Sequence, residues 1–170
     1  ASLCVLELTK KVKPKDGKII VTGASGGVGS VAVNLLSKLS YHVVALSGKD
    51  QDFLLKIGAQ EHIKRNDFKI SNNSLATEIW AGCIDTVGGD ILSTIISQVK
   101  YNGVVVNTGL TNSHELNTTV YPFILRNITL SGIDCVYAPY KKRIKAWSFL
   151  ERNLDKNFLN KIKNINTINN

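Results

Sequence analysis

The sequence lacks several features that would place it in particular classes of protein. Its 170 residues contain no methionine and only three cysteines, Cys4, Cys83 and Cys135, which lie far apart and form no C-x-x-C pair. No grouping of cysteine and histidine has the spacing of a zinc site, so the sequence predicts no metal site. An odd, sparse set of cysteines favours a reducing compartment, and we expect a cytoplasmic protein.

Long apolar runs are also missing. No hydrophobic stretch approaches the length that spans a bilayer, and the first residues show no basic leader before an apolar segment. The sequence therefore predicts neither a membrane partner nor a signal peptide. The chain begins like the second half of a helix and has no methionine, so we expect a piece of a longer protein.

The composition is that of an ordinary globular domain, with 44% hydrophobic and 20% charged residues. The net charge is +8, and one basic cluster stands out at Lys141, Lys142, Arg143 and Lys145. No aromatic interleaving or reading motif accompanies it, so a nucleic-acid partner is not predicted. The cluster is more typical of a solvated helix face, and the overall charge suits an anionic cofactor and substrate.

Apolar, β-branched runs alternate with helical patterns along the chain. Strands are predicted at 18–22, 42–46, 62–64, 82–86, 103–108 and 128–133, and helices at 2–11, 27–39, 51–57, 73–80, 90–98, 121–126 and 140–153. Short apolar strands are typical of a parallel sheet covered by helices. The alternation predicts an α/β fold, a Rossmann-like doubly wound parallel sheet with helices on both faces. The last strand is expected at or near its edge.

The most informative motif is VTGASGGVGS at 21–30, between an apolar strand pattern and a helix pattern. Read as G-x-G-x-x-G, it places Ala24, Gly26 and Gly29 at the motif positions and adds Gly27. Small residues there permit a tight turn and close approach of a pyrophosphate, and the last glycine lets the helix pack on the strand. We therefore predict a dinucleotide site that includes Gly26 and Gly27.

The end of the second strand indicates which dinucleotide is bound. An NAD-binding fold usually has Asp or Glu about 20 residues beyond the glycines, on the ribose hydroxyls. Here Ser47, Gly48 and Lys49 offer a hydroxyl, open backbone and a cation, which suit a 2′-phosphate. Asp50 comes one residue too late and is interpreted as a helix N-cap. NADP is therefore predicted over NAD, and Arg65 is either a further phosphate contact or a surface arginine.

The fourth and fifth strands also end in small residues. Ligands of doubly wound sheets lie outside the carboxyl ends of the strands. Gly88 and Gly89 follow the fourth strand and would allow close approach, while Asp85 either anchors a loop or caps a helix. The backbone at 108–110 is expected near the nicotinamide half of the cofactor.

Together these motifs resemble the cofactor domain of the medium-chain dehydrogenase/reductases, in the zinc-free quinone oxidoreductase branch. The resemblance is closest to the acrylyl-CoA reductase family. It is carried by VTGASGGVGS at 21–30, VVALSGK at 43–49, IGAQEHIKRNDF at 57–68, WAGCIDTVGGD at 80–90, TTVYPFILRNITLSGIDCV at 118–136 and KRIKAW at 142–147. It implies that residues 1–170 form an NADP-binding domain. The family's N-terminal GroES-like catalytic domain and its C-terminal end would lie outside this sequence.

The resemblance also implies individual cofactor contacts. The pyrophosphate contacts fall on Val28, Gly29, Ser30 and Val31; the 2′-phosphate contacts fall on Ser47, Gly48 and Lys49, with Arg65 beside them; and the contacts toward the nicotinamide fall on Leu110, Ile124 and Cys135. Two positions depart from the family. Lys49 stands where Arg is usual and loses the bidentate fork. Cys135 stands where Ser is usual and is a weaker donor.

The implied activity is NADPH-dependent reduction of an α,β-unsaturated thioester such as acryloyl-CoA. Hydride would pass from nicotinamide C4 to the β-carbon, and a proton would reach the α-carbon. No catalytic residue is predicted within this sequence. Two alternatives stay open: an NADPH quinone or enone oxidoreductase, and a non-enzymatic nucleotide-binding or sensing domain. Because members of this branch are commonly joined through their cofactor domains, the resemblance also implies a homodimer.

Overall fold

A computed structural model describes residues 1–48, 51–154 and 156–162 of the protein. The strands are β1 Lys18–Thr22, β2 Val43–Ser47, β3 Glu61–Lys64, β4 Trp80–Asp85, β5 Val99–Asn107 and β6 Thr129–Gly132. The α-helices are α1 Ser2–Leu8, α2 Gly27–Lys38, α3 Gln51–Lys56, α4 Gly89–Gln98, α5 Tyr121–Arg126, α6 Tyr140–Asn153 and α7 Lys156–Ile162. Short 3-10 turns occur at Pro14–Asp16 and Arg65–Asp67.

Within the described residues, six strands form one sheet in the order β3-β2-β1-β4-β5-β6. Every neighbouring pair is parallel. This is the strand order of the doubly wound Rossmann fold, so the predicted fold class is confirmed. The predicted place of the last strand is also correct, because β6 lies at an edge. The chain reverses its direction of travel across the sheet after β3, which leaves a crevice at the carboxyl ends of β1 and β4.

Helices cover both faces of the sheet. In β1, Ile19 and Val21 pack into one apolar layer, which includes residues of α1 and α2. The intervening Ile20 points the other way and packs with α4. Successive side chains of a strand face opposite sides, so a sheet buried on both faces needs a continuous apolar run rather than an alternating one. The described residues contain no helix with the length and apolarity to cross a membrane.

The predicted helix at 73–80 is wrong. Residues 71–79 are irregular, and their backbone groups bond to other elements: Ala76 N–H donates to Ser97 O at 3.0 Å, and Ile79 N–H donates to Gln98 O at 2.8 Å. The Arg126 guanidinium also donates to the Ala76 carbonyl. These tertiary bonds satisfy groups that a helix would have paired internally, and the Asn- and Ser-rich start favours turns.

Other boundaries move by a few residues. The first helix ends at Leu8 rather than at 11, and β5 begins at Val99 rather than at 103. The basic cluster lies on α6, where Lys141, Lys142 and Lys145 are exposed to solvent, as expected for a solvated helix face.

Candidate functional site

The glycine turn lies between β1 and α2, at the centre of the sheet's carboxyl edge. Gly26 N–H donates to Gly23 O at 2.9 Å, which closes the turn. A Cβ added at Gly29 would lie 2.3 Å from Gly23 O and 2.7 Å from the Cα of Ala24. Because both are backbone atoms, a side chain at position 29 would force helix and turn apart, and glycine is the residue that lets the helix pack this closely. The packing role predicted for the last glycine is therefore present.

The first turn of α2 faces open space. Gly26 is the N-cap residue, and no side chain caps the described helix there. A Cβ at Gly27 would meet no atom within 4 Å. Gly26, Gly27 and Val28 are exposed, whereas Gly29 and Ser30 are buried and Val31 is half-buried. The exposed N–H groups at the positive end of the helix can donate to an anion, while the buried residues hold the helix against the sheet.

A pocket of about 310 Å³ opens on one side of this turn, beyond the ends of β1, β2 and β4. Its lining includes Ser25, Ser47, Gly48 and Arg65. Ser47 is only 5% exposed, and its hydroxyl lies 2.8 Å from that of Ser25. A Cβ at Gly48 would lie 3.9 Å from the Cβ of Arg65. Three predicted residues therefore meet in one pocket, although they come from two different strand ends.

Lys49 and Asp50, predicted as a phosphate contact and a helix N-cap, lie outside the described residues. Among the described residues that line the pocket, none is acidic. This described lining combines hydroxyl groups and a guanidinium without a carboxylate, which is an environment suited to an anion.

Arg65 reaches across the pocket. Its Nη2 donates a 2.6 Å hydrogen bond to Oδ1 of Asn112, which lies in the loop after β5. His62 contacts another lining residue from behind the strand end, because its Nε2 lies 3.1 Å from the carbonyl oxygen of Ser47. The sequence offered no signal for Asn112 or His62, because each is far along the chain from the group it contacts.

Asp85 ties the strand ends together beneath the site. Its side chain is fully buried; Oδ1 accepts from Thr22 Oγ1 at 2.7 Å, and Oδ2 accepts from Gly88 N–H at 2.9 Å and Asn107 Nδ2 at 2.7 Å. Of the two predicted roles, loop anchoring is thus the one observed. Asn107 also donates to Gly109 O at 3.0 Å, so one carboxylate connects the ends of β1, β4 and β5.

A second pocket, of about 210 Å³, lies on the other side of the glycine turn. Val28, Thr108 and Cys135 line it together with Trp147 and Arg143 of α6. The structure therefore brings two of the predicted contacts, Val28 and Cys135, to one cavity.

The other two residues predicted near the nicotinamide do not line that cavity. Leu110 and Ile124 are 65% and 67% exposed. Both side chains are mostly in contact with solvent, and neither lines the pockets on the two sides of the glycine turn.

The cysteines differ in their surroundings. Cys135 is exposed, whereas Cys4 and Cys83 are buried, and all three are free thiols. Burial raises the pKa of the Cys4 thiol. Burial, and to a smaller extent the charge of Asp85, raises the pKa of Cys83 well above its usual value. Both buried thiols are therefore held protonated and unreactive. Among the described residues, no group of three His, Cys, Asp or Glu side chains is arranged to hold a metal ion.

The strand order, the glycine turn and the flanking pockets define a Rossmann-like α/β domain with a site at its topological switch point. Residues 27–152 match the zinc-binding dehydrogenase family model, and the chain belongs to that family. It is 47% identical over 161 residues to the probable acrylyl-CoA reductase AcuI of Escherichia coli, a match that covers 93% of this chain and 49% of the relative.

Two solved structures are similarly close. The YhdH oxidoreductase of Salmonella enterica, in complex with NADP, is 44% identical with a TM-score of 0.91 over 94% of this chain and 50% of its own. YhfP of Bacillus subtilis, with NAD bound, is 40% identical with a TM-score of 0.89, covering 95% of this chain and 50% of its own. By sequence, YhfP is named a putative quinone oxidoreductase and is 41% identical over 91% of this chain and 48% of the relative. The chain thus spans about half the length of the relatives it matches.

Proposed function

We propose that this chain binds NADPH at the carboxyl edge of its sheet and prefers it to NADH. The observation that carries the proposal is the pocket in which Ser47, Gly48 and Arg65 meet, whose described lining residues include no acid. A ribose without a 2′-phosphate is usually held by a carboxylate, whereas a 2′-phosphate needs donors and positive charge. Lys49, next in sequence, would add a second cation at this end.

The rest of the cofactor would follow the carboxyl edge of the sheet. Gly27 and Val28 are exposed in the first turn of α2, and the unpaired N–H groups of a helix's first turn would donate to a pyrophosphate placed there. Beyond the turn, the pocket lined by Val28, Thr108 and Cys135 would receive the nicotinamide half. The Salmonella relative was solved in complex with NADP, which supports NADP as the cofactor.

The reaction of the whole protein is proposed to be reduction of an α,β-unsaturated thioester such as acryloyl-CoA. Support comes from the name and the 47% identity of the E. coli relative. The bound NADPH would supply the hydride for the β-carbon. This chain would hold the dinucleotide with one end in each of the two pockets. We assign no proton-transfer residue within this chain. Three free thiols suit the reducing cytoplasm that we propose as its location.

Quinone or enone reduction is the second candidate. It is favoured by the name of the B. subtilis relative, at 41% identity. The two activities are separated by assaying the intact protein with NADPH and either acryloyl-CoA or a quinone. If the intact protein reduces neither substrate, that result would contradict the proposed enzyme and favour a binding or sensing domain.

The cofactor proposal is tested by calorimetric titration of NADPH and NADH into this chain at fixed salt. We expect NADPH to bind more tightly and Lys49→Glu to abolish the preference, because it places a like charge against the phosphate. Lys141→Glu makes the same charge change on the exposed face of α6 and should leave the preference intact. Equal affinities for the two dinucleotides in the unsubstituted chain would contradict the proposal.

We also propose a homodimer joined through the sheet edge. β6 lies at the end of the strand order, and unprotected edge strands invite pairing with a second chain. Light scattering over a concentration series should give the mass of a dimer. A monomer at every concentration would contradict this proposal while leaving the cofactor site unaffected.

A further inference from the structure

Arg65 is held by a residue on the far side of the pocket. The bond from its Nη2 to Oδ1 of Asn112 spans 47 positions of sequence and joins the turn after β3 to the loop after β5. Arginine can only donate, so the amide oxygen is the atom of Asn112 that can meet it. The bond uses one of five guanidinium N–H donors and leaves others to face a phosphate.

Asn112 is itself fixed in place. Its N–H donates to Val87 O at 2.8 Å, and the next residue, Ser113, forms a parallel bridge with Gly88. Its side chain lies over Gly89, where an added Cβ would come within 2.7 Å of Nδ2. The amide is therefore attached to the loop that follows β4, which the buried Asp85 anchors in turn.

We propose that Asn112 is a positioning residue that holds the Arg65 guanidinium at the 2′-phosphate end of the groove and so contributes to selection of NADPH over NADH. The inference rests on the proposed NADPH site. An exposed arginine has a long side chain that samples many rotamers, and ordering it when a ligand binds reduces affinity. A fixed acceptor orders the guanidinium before the ligand arrives. Asn112 therefore acts through Arg65, without having to touch the phosphate.

The experiment uses two probes that carry only the adenosine end of the cofactor: 2′,5′-ADP, which has the 2′-phosphate, and 5′-AMP, which lacks it. Calorimetry on this chain should show that Asn112→Ala weakens 2′,5′-ADP binding roughly 3- to 10-fold. Binding of 5′-AMP should change less than about 2-fold, because the guanidinium faces only the 2′-phosphate. Asn112 is exposed, so the variant should fold, and Asn117→Ala, at an exposed asparagine farther along the loop, is the matched control.

A double-mutant cycle separates positioning from a general structural role. With Arg65→Ala already present, Asn112→Ala should have no further effect on 2′,5′-ADP binding. Asn112→Asp keeps the acceptor but adds a negative charge beside the phosphate, so it should weaken binding further, most strongly at low salt.

Two results would overturn the inference alone: a 2′,5′-ADP affinity that Asn112→Ala leaves unchanged, or an equal effect of Asn112→Ala on that affinity with and without Arg65. A different result would count against the proposed NADPH site itself. If the unsubstituted chain binds 2′,5′-ADP no more tightly than 5′-AMP, the NADPH preference fails, and the role of Asn112 fails with it.

Discussion

Replacing Gly29 by alanine tests whether the close packing of α2 on the glycine turn is required for the fold. The new Cβ would lie 2.3 Å from Gly23 O and 2.7 Å from the Cα of Ala24, well inside van der Waals contact. Since the obstructing atoms are backbone, helix and turn must move apart. Overpacking of this kind costs about 1–3 kcal/mol. Better helix propensity of alanine returns at most about 1 kcal/mol.

Gly27→Ala is the matched control, two residues earlier on the same helix. Its Cβ would meet no atom within 4 Å, so we expect the free energy of unfolding to stay the same or to rise slightly. The substitution should instead affect ligand binding, because we place the pyrophosphate in the open space beside Gly27. Gly27→Ala should therefore weaken NADPH binding without lowering stability.

Urea denaturation followed by circular dichroism measures the first effect, and calorimetric titration of NADPH measures the second. For a chain of this size, each kcal/mol lost corresponds to about 2–4 °C in the melting temperature. Equal unfolding midpoints for Gly29→Ala and the unsubstituted chain would refute the packing argument. Unchanged NADPH affinity in Gly27→Ala would refute the placement of the pyrophosphate.

Three further predictions concern buried and exposed ionisable groups. Asp85→Asn should destabilise the fold by about 1–3 kcal/mol in urea denaturation, because an amide N–H₂ would then face buried donors. A hydrogen bond from Lys18 lowers the pKa of Glu61, so the carboxylate stabilises the fold above its unfolded pKa and loses that contribution as the pH falls. Glu61→Gln should thus lower the free energy of unfolding by less than about 1 kcal/mol at pH 7, since the pair is exposed, and should not change it at pH 3. An equal loss at the two pH values would contradict the predicted direction of the pH dependence. A thiol reagent should label exposed Cys135 but not buried Cys83 in the native chain. NADPH should slow the labelling of Cys135, and an unchanged labelling rate would count against Cys135 lying near the cofactor.

The sequence predicted the parts of this molecule that depend on local patterns. The apolar runs gave the strands of a doubly wound sheet, and the place of β6 at an edge was correct. The spacing of small residues at 21–30 located the turn. Glycine is needed at position 29 because α2 approaches the backbone of that turn closely. The helix predicted at 73–80 is absent because its backbone groups bond to α4 and α5, which no local pattern reveals.

The site residues that were missed are all set by contacts between distant parts of the chain. Asn112 meets Arg65 only because the ends of β3 and β5 face the same crevice. His62 supports Ser47 across the β2–β3 pair, from the middle of a strand that reads as ordinary. A single polar residue in a loop carries no periodicity, so its role becomes visible only when the strand order is known.

The network around Asp85 connects these observations. Its carboxylate holds Thr22 just before the glycine turn, Gly88 in the loop to which Asn112 is attached, and Asn107 just before the loop after β5. The turn that we propose to face the pyrophosphate and the loops after β4 and β5 therefore share one buried anchor. Arg65, one of the proposed adenosine contacts, is connected to the same anchor through Asn112 and the loop after β4. Dinucleotide binding by this chain is then expected without the remainder of the protein, whereas thioester reduction is expected to require it.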